Sequence, residues 1–152
     1  MSDHPRPLAF TDLETRTLAS VLDHVIPPSA DGRLPGAGAL GIAAYLENAL
    51  GRTPDLRAMI VEGLVALDAA ARAEDAREFA ALPSDARLAA LQQQGFVLPL
   101  TFQAVMGYYQ HPRVVEALGL EARAPHPQGY EMDPGDLTLV NAVRGRPKLY
   151  RS

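Results

Sequence analysis

Short apolar stripes at helical spacing, each closed by proline or glycine, constrain the fold of this chain more than any other feature. The first stripe repeats at i, i+3, i+4 and i+7 from Leu18 to Val25, and Pro27 and Pro28 end it because proline lacks the backbone donor. Further helical segments are predicted over residues 39–50, 53–73, 84–95 and 97–109, and no long segment alternates like a strand. We therefore predict an all-α fold, a compact bundle of about five to six helices.

Helix starts are marked by capping residues. Thr11 and Glu14 have the spacing of a capping box, in which each side chain bonds the backbone amide of the other residue. Thr53 before Pro54, and Ser84 before Asp85, predict two further N-caps. Gly63 lies on the apolar stripe of the third helix and predicts close approach of another helix there.

One helix over residues 97–109 is more apolar than the others. Its predicted core face consists of Phe102, Val105, Met106 and Tyr109. The glycine-rich segment at residues 36–38 precedes the second helix, and without a preceding strand it is interpreted as a loop rather than a phosphate site.

Beyond Gly119 the periodicity stops. We predict a single helical domain with an N-terminal tail at residues 1–10, a helical core at 11–119 and an irregular proline- and tyrosine-rich arm at 120–152.

The charge distribution argues against binding to nucleic acid. The formal net charge is −4, whereas phosphate contacts need a basic surface. Four basic residues nevertheless lie among the last nine positions: Arg144, Arg146, Lys148 and Arg151. This basic end is either a docking point for an acidic partner surface or a solvated tail.

Few residues have the pattern of a catalytic or metal site. The chain has no cysteine, which excludes thiolate metal ligands and iron–sulfur clusters, and its four histidines form no paired metal motif. His111 has three interpretations: a helix cap, a partner contact or a ligand. We predict that four candidate carboxylates lie on solvated helix faces: Asp23, Glu47, Glu62 and Asp68. We predict no catalytic, cofactor or metal residue in this chain.

The sequence contains neither a run of 18 apolar residues nor a signal-peptide pattern. We predict a cytoplasmic protein without membrane insertion. The alternative is a periplasmic protein, exported with a partner or made from a longer precursor.

The last third of the chain is rich in tyrosine, a residue enriched at protein interfaces. The hypothesis is a partner interface that includes one histidine and two arginines: Tyr108, Tyr109, His111, Tyr130, Arg144, Arg146 and Tyr150. Packing of the arm on its own helices is the alternative.

The order of segments resembles the gluconate 2-dehydrogenase subunit 3 family. The resemblance extends over nearly the whole chain and rests on these residues and segments: Phe10, Glu14, Leu18, Val25-Ile26-Pro27-Pro28, Pro35-Gly36-Ala37, Gly63-Leu64, Leu67-Asp68, Phe79, Leu82, Gly107-Tyr108-Tyr109, His111-Pro112, Leu118-Gly119, Gly129-Tyr130 and Tyr150-Arg151. It implies a small bacterial subunit beside a large flavoprotein of the glucose–methanol–choline oxidoreductase type.

The resemblance also implies different roles for the two subunits. The large subunit holds FAD and oxidises a sugar or sugar acid, whereas the small one supports its folding, stability or export and carries no cofactor. Many family members carry a twin-arginine export signal, and this sequence begins without one.

Three hypotheses follow from the sequence. The first is a non-catalytic subunit that binds through the arm, so that deleting residues from about 120 onward abolishes the complex. The second is an independent enzyme that uses His111 and a carboxylate. The third is a free-standing helical binding module or homodimer without a flavoprotein partner.

Overall fold

The structure is a computed structural model, and it describes residues 9–122, 129 and 138–147. The chain divides into two compact units, residues 1–122 and 123–152. The first unit contains α1 (Asp12–Val25), α2 (Ala37–Leu40), α3 (Ala43–Leu50), α4 (Pro54–Asp75), a 3-10 turn (Phe79–Ala81), α5 (Ser84–Leu91), α6 (Val97–Gln110) and α7 (Pro112–Ala117). The second unit contains α8 (Thr138–Arg144). Every regular element in these described ranges is a helix, which confirms the all-α prediction.

Helix α1 follows its sequence signals closely. The Glu14 amide donates to the Thr11 hydroxyl at 3.3 Å, and the Thr11 amide donates to the Glu14 carboxylate at 2.8 Å, which completes the predicted capping box. Leu18, Val21 and Leu22 are fully buried on the predicted apolar stripe. The helix ends at Val25, just before the two prolines.

The single helix predicted over residues 39–50 is wrong, because the structure has two shorter helices there. Gly41 ends α2 with a φ of 74°, a left-handed conformation that glycine adopts without steric cost. Of the two further predicted caps, Thr53 does lie at the N-cap of α4 with Pro54 directly after it, although its side chain makes no capping bond. The cap predicted at Ser84 is wrong, because Ser84 is the first residue of α5 and Pro83 occupies the cap position.

The predicted core face of α6 is wrong by part of a turn. Its buried residues are Leu100, Ala104, Gly107 and Tyr108, whereas the four predicted core residues are exposed. Small residues decide the orientation, since a Cβ added at Gly107 would overlap the Tyr45 ring on α3. Close packing of α3 on the Gly107 side turns the larger side chains outward.

The core of the first unit lies between α1, α3, α4 and α6. Leu46, Leu50, Ile60, Leu64 and Leu100 are among its fully buried side chains. A Cβ at Gly63 would overlap the Phe96 ring, so the close approach predicted at Gly63 involves the aromatic residue immediately before α6.

Candidate functional site

Asp23 links α1 to the beginning of α2. Its carboxylate accepts from the amides of Gly38 at 2.8 Å and Ala39 at 3.3 Å, the arrangement that satisfies free donors at a helix start. A Cβ at Gly36 would overlap the Asp23 carboxylate, which explains a small residue at that position. The prediction of a solvated face is therefore wrong for Asp23.

Glu47 ties α3 to the residue before the first helix cap. Its carboxylate accepts from the Phe10 amide at 2.9 Å. The Arg57 guanidinium lies 5.5 Å from the centre of the Phe10 ring, within cation–π range. Glu47 thus holds the N-terminal end of the described chain against the helices, and the solvated-face prediction is wrong here too. Glu62 is exposed, as predicted.

Asp68 is the most buried of the four carboxylates, with 3% of its surface exposed, so its solvated-face prediction is also wrong. It accepts from the Phe79 amide at 3.0 Å and from Arg72 Nε at 2.6 Å. Arg72 and Arg16 both pair with Glu78, at 3.0 and 3.1 Å. These contacts fasten the 3-10 turn to α4 and, through Arg16, to α1.

The surroundings of Asp68 act on the pKa of its carboxyl group in two opposing directions. Burial, the largest single influence, raises the pKa of the carboxyl group, whereas bonds from Arg72 and the Phe79 amide lower it. The lowering influences prevail together, and the pKa of Asp68 is below its ordinary value. The pKa of Glu78 is also lowered, mainly by its hydrogen bond from Arg16.

Two histidines in the first unit contact backbone or hydroxyl groups. The ring of His24 lies 3.0 Å from the Ser20 carbonyl oxygen and 3.2 Å from that of Ser84, and so connects α1 with the start of α5. The His111 ring accepts from the Arg113 amide at 3.3 Å and caps α7. A capping role was one of the three interpretations of His111, although it concerns the start of α7 rather than the end of α6.

The predicted interface residues lie in different environments. Tyr108 is 2% exposed, and its hydroxyl donates to the Pro35 carbonyl at 2.8 Å, so the chain's own core covers it. Burial raises the pKa of Tyr108, and the neighbouring Tyr109 adds to that shift. Tyr109 is exposed, with its ring edge-to-face against Tyr108 at 5.2 Å between centroids.

Apart from His111, the remaining predicted interface residues belong to the second unit. Arg144, in the last turn of α8, and Arg146 are exposed. Tyr130 and Tyr150 lie outside the described residues.

Four further exposed residues accompany Tyr109 on the outer side of α6. They are Leu98, Phe102, Val105 and Met106. We call these five residues the α6 outer face. The sequence did contain a signal for it, because α6 has no acidic or basic residue along its 14 positions.

A groove in the described part of the chain lies between α4, the 3-10 turn and α5. Its volume is about 820 Å³, and small aliphatic side chains such as Ala70, Ala86 and Ala90 form its walls.

Within the described ranges no three His, Asp or Glu side chains are grouped to hold a metal ion. No described helix combines the length and the apolar character needed to cross a membrane.

These features define a helical protein in which carboxylates and histidines join one helix to the next. Residues 12–97, more than half of the 152-residue chain, match the family model described as gluconate 2-dehydrogenase subunit 3. The chain therefore belongs to that family, as the resemblance in the sequence implied. Comparisons with curated proteins and with solved structures found no match.

Proposed function

We propose that this protein is the non-catalytic small subunit of a flavin-dependent dehydrogenase that oxidises sugars or sugar acids. Its partner is the large catalytic subunit, a flavoprotein of the glucose–methanol–choline type that holds FAD. The small subunit binds the folded catalytic subunit and stabilises it. Family membership supports this proposal, since the family is described as a subunit of a dehydrogenase.

The observation that carries the non-catalytic role is the use of carboxylates as structural acceptors. Asp23, Glu47 and Asp68 each accept a hydrogen bond from a backbone amide of another segment. A general base needs a free lone pair directed at a substrate, whereas each of these carboxylates has at least one oxygen engaged by a backbone amide of the fold. Their arrangement supports a protein whose side chains maintain a shape for a partner to bind.

Stabilisation of the partner follows from mass action. A subunit that binds only the folded state of the flavoprotein adds about 2.7 kcal/mol of stability when its free concentration is 100 times Kd. The proposed place of action is the cytoplasm, or the periplasm if the subunit is exported with its partner.

Co-expression of the chain with the FAD dehydrogenase encoded nearest to it tests the proposal. We expect affinity purification of the small subunit to recover a stoichiometric complex with a flavin absorbance spectrum. Omission of the small subunit is expected to reduce soluble flavoprotein several-fold, because the unbound state loses the stabilisation that binding supplies.

A His111→Ala variant tests the independent-enzyme hypothesis, under which the purified small chain alone turns over a substrate and loses that activity when His111 is replaced. A flavoprotein that is soluble and fully active without the small subunit would contradict the proposal. Recovery of the small chain as a colourless homodimer would favour the self-associating module instead.

A further inference from the structure

The α6 outer face is an apolar surface that the described residues of the first unit leave open. Its five side chains are 38–65% exposed, and they recur at i, i+4, i+7, i+8 and i+11, so they lie on one side of the helix. Isolated exposed apolar residues are ordinary, whereas a contiguous group of this kind marks an interaction surface.

The packing of α6 does not account for the size of these side chains. Leu100, Ala104 and Gly107 on the opposite side make the contacts with the core. The folded first unit therefore requires the inner side of α6, while large residues such as Phe102 and Met106 contribute little buried area to it.

The charge pattern indicates the chemistry of the occupant. Charged residues are depleted at the centre of protein interfaces, and aromatic residues and methionine are enriched there. The α6 outer face has one phenylalanine, one tyrosine and one methionine, and the whole helix is uncharged. The complementary surface is therefore apolar and uncharged as well.

A membrane surface fits this pattern poorly. Helices that lie on membranes combine an apolar side with a polar side rich in lysine and arginine, which attract anionic lipids. Helix α6 has neither residue, and the chain has a net charge of −4. A protein partner fits better.

The area of the face argues for a concave partner rather than a second copy. If a side chain of this size offers about 150–250 Å² when fully exposed, the exposed fractions amount to roughly 400–700 Å². A stable interface covers about 800 Å² on each side. Two copies meeting through this face alone would place one convex helix across another and bury only part of that area. A groove would enclose the helix and also cover polar flanks such as Thr101 and Gln103.

We propose that the α6 outer face docks into an uncharged apolar groove on the catalytic flavoprotein subunit. This inference rests on the proposed function, and it moves the main contact from the C-terminal arm to α6. Tyr109 belongs both to the interface predicted from the sequence and to the α6 outer face. It lies one helical turn from Val105 and Met106.

A competition experiment with full-length variants tests the docking surface. Labelled wild-type subunit is displaced from the preformed complex by excess Phe102→Ser/Met106→Ser variant. We expect the concentration for half-displacement to rise at least about 30-fold, the size of a typical hot-spot loss. Leu88→Ser on α5 is the matched control, since Leu88 is 49% exposed and belongs to another helix; it should compete like wild type. Circular dichroism of each variant verifies that it is folded.

Each contrary result has a distinct meaning. If wild type forms a complex and the double variant displaces it as well as wild type does, α6 is not the docking surface and the proposed function stands. Loss of competition in Arg144→Ala/Arg146→Ala, with α6 variants unaffected, would return the interface to the arm. If purified wild type dimerises and the α6 variant is monomeric, the occupant is a second copy. If wild type forms no complex, the proposed function and this inference both fail.

Discussion

Replacement of Gly38 by alanine is expected to lower the free energy of unfolding by about 3 kcal/mol, the upper part of the range for overpacking in a protein interior. A Cβ at this position would overlap the carbonyl oxygen of Ala19 and lie 2.8 Å from its carbonyl carbon. Both are backbone atoms of α1, so no side-chain rotation relieves the clash. Helix α2 has to move away from α1.

That movement also weakens the cap on α2. The Gly38 amide donates to Asp23 at 2.8 Å, and a shift of α2 lengthens this bond. Loss of a capping bond costs about 1 kcal/mol by itself. The clash and the weakened cap therefore both lower the stability of the Gly38→Ala variant.

Gly95→Ala is the matched control for Gly38→Ala. A Cβ at Gly95 meets no atom within 4 Å, and its backbone is not left-handed. Alanine there should leave stability unchanged or raise it by about 0.4–1 kcal/mol by restricting the unfolded chain. Urea denaturation followed by circular dichroism measures both variants. Equal unfolding midpoints for Gly38→Ala and wild type would show that α1 and α2 are not in close contact.

Local sequence signals predicted helix α1 well because everything that defines it is close in the chain. Thr11 and Glu14 determine its start, and Pro27 limits its end, without help from distant residues. The division between α2 and α3 was missed because glycine is compatible with either a helix interior or a left-handed end. Only the observed φ of 74° at Gly41 distinguishes the two.

The orientation of α6 was not predictable from periodicity. Apolar residues lie on both sides of this helix, so a stripe on one side does not identify the core side. Which side of α6 faces the core depends on Tyr45, which is far away in the sequence and packs where Gly107 leaves space. The interface candidates were affected by the same ambiguity: Tyr108 and Tyr109 are adjacent, yet only Tyr109 is exposed.

The roles of the carboxylates depend on long-range contacts of the same kind. In the nearby sequence Asp68 differs from Glu62 by having Arg72 four residues later, and an i, i+4 pair of this kind is equally compatible with a solvated helix face. The other partner of Asp68, the Phe79 amide, is 11 residues away, beyond the end of α4. The need of the buried Phe79 amide for an acceptor arises only in the folded chain, so the local sequence around Asp68 does not reveal it.

Asp68→Asn is expected to lower the free energy of unfolding by about 2 kcal/mol at neutral pH, because it removes the charge of a buried carboxylate that pairs with the half-exposed Arg72. Asparagine preserves the shape of the side chain, and its oxygen can still accept from the Phe79 amide. Its neutral amide replaces the carboxylate that accepts from Arg72 Nε at 2.6 Å. Glu62→Gln, an exposed carboxylate on the same helix, is the control and should have little effect.

The pH dependence of the difference in unfolding free energy between wild type and Asp68→Asn shows whether this difference is electrostatic. The folded-state pKa of Asp68 is below the unfolded value of about 3.9, so its ionised form stabilises the protein above that pH. This contribution is lost as pH falls through the folded-state pKa, where wild-type Asp68 becomes neutral like asparagine. The stability gap between wild type and Asp68→Asn should therefore be constant from neutral pH to about 5 and narrow below about 4. Because Glu78 is present in both proteins, its titration largely cancels, and a gap that persists unchanged to pH 2 would mean that packing rather than charge is responsible.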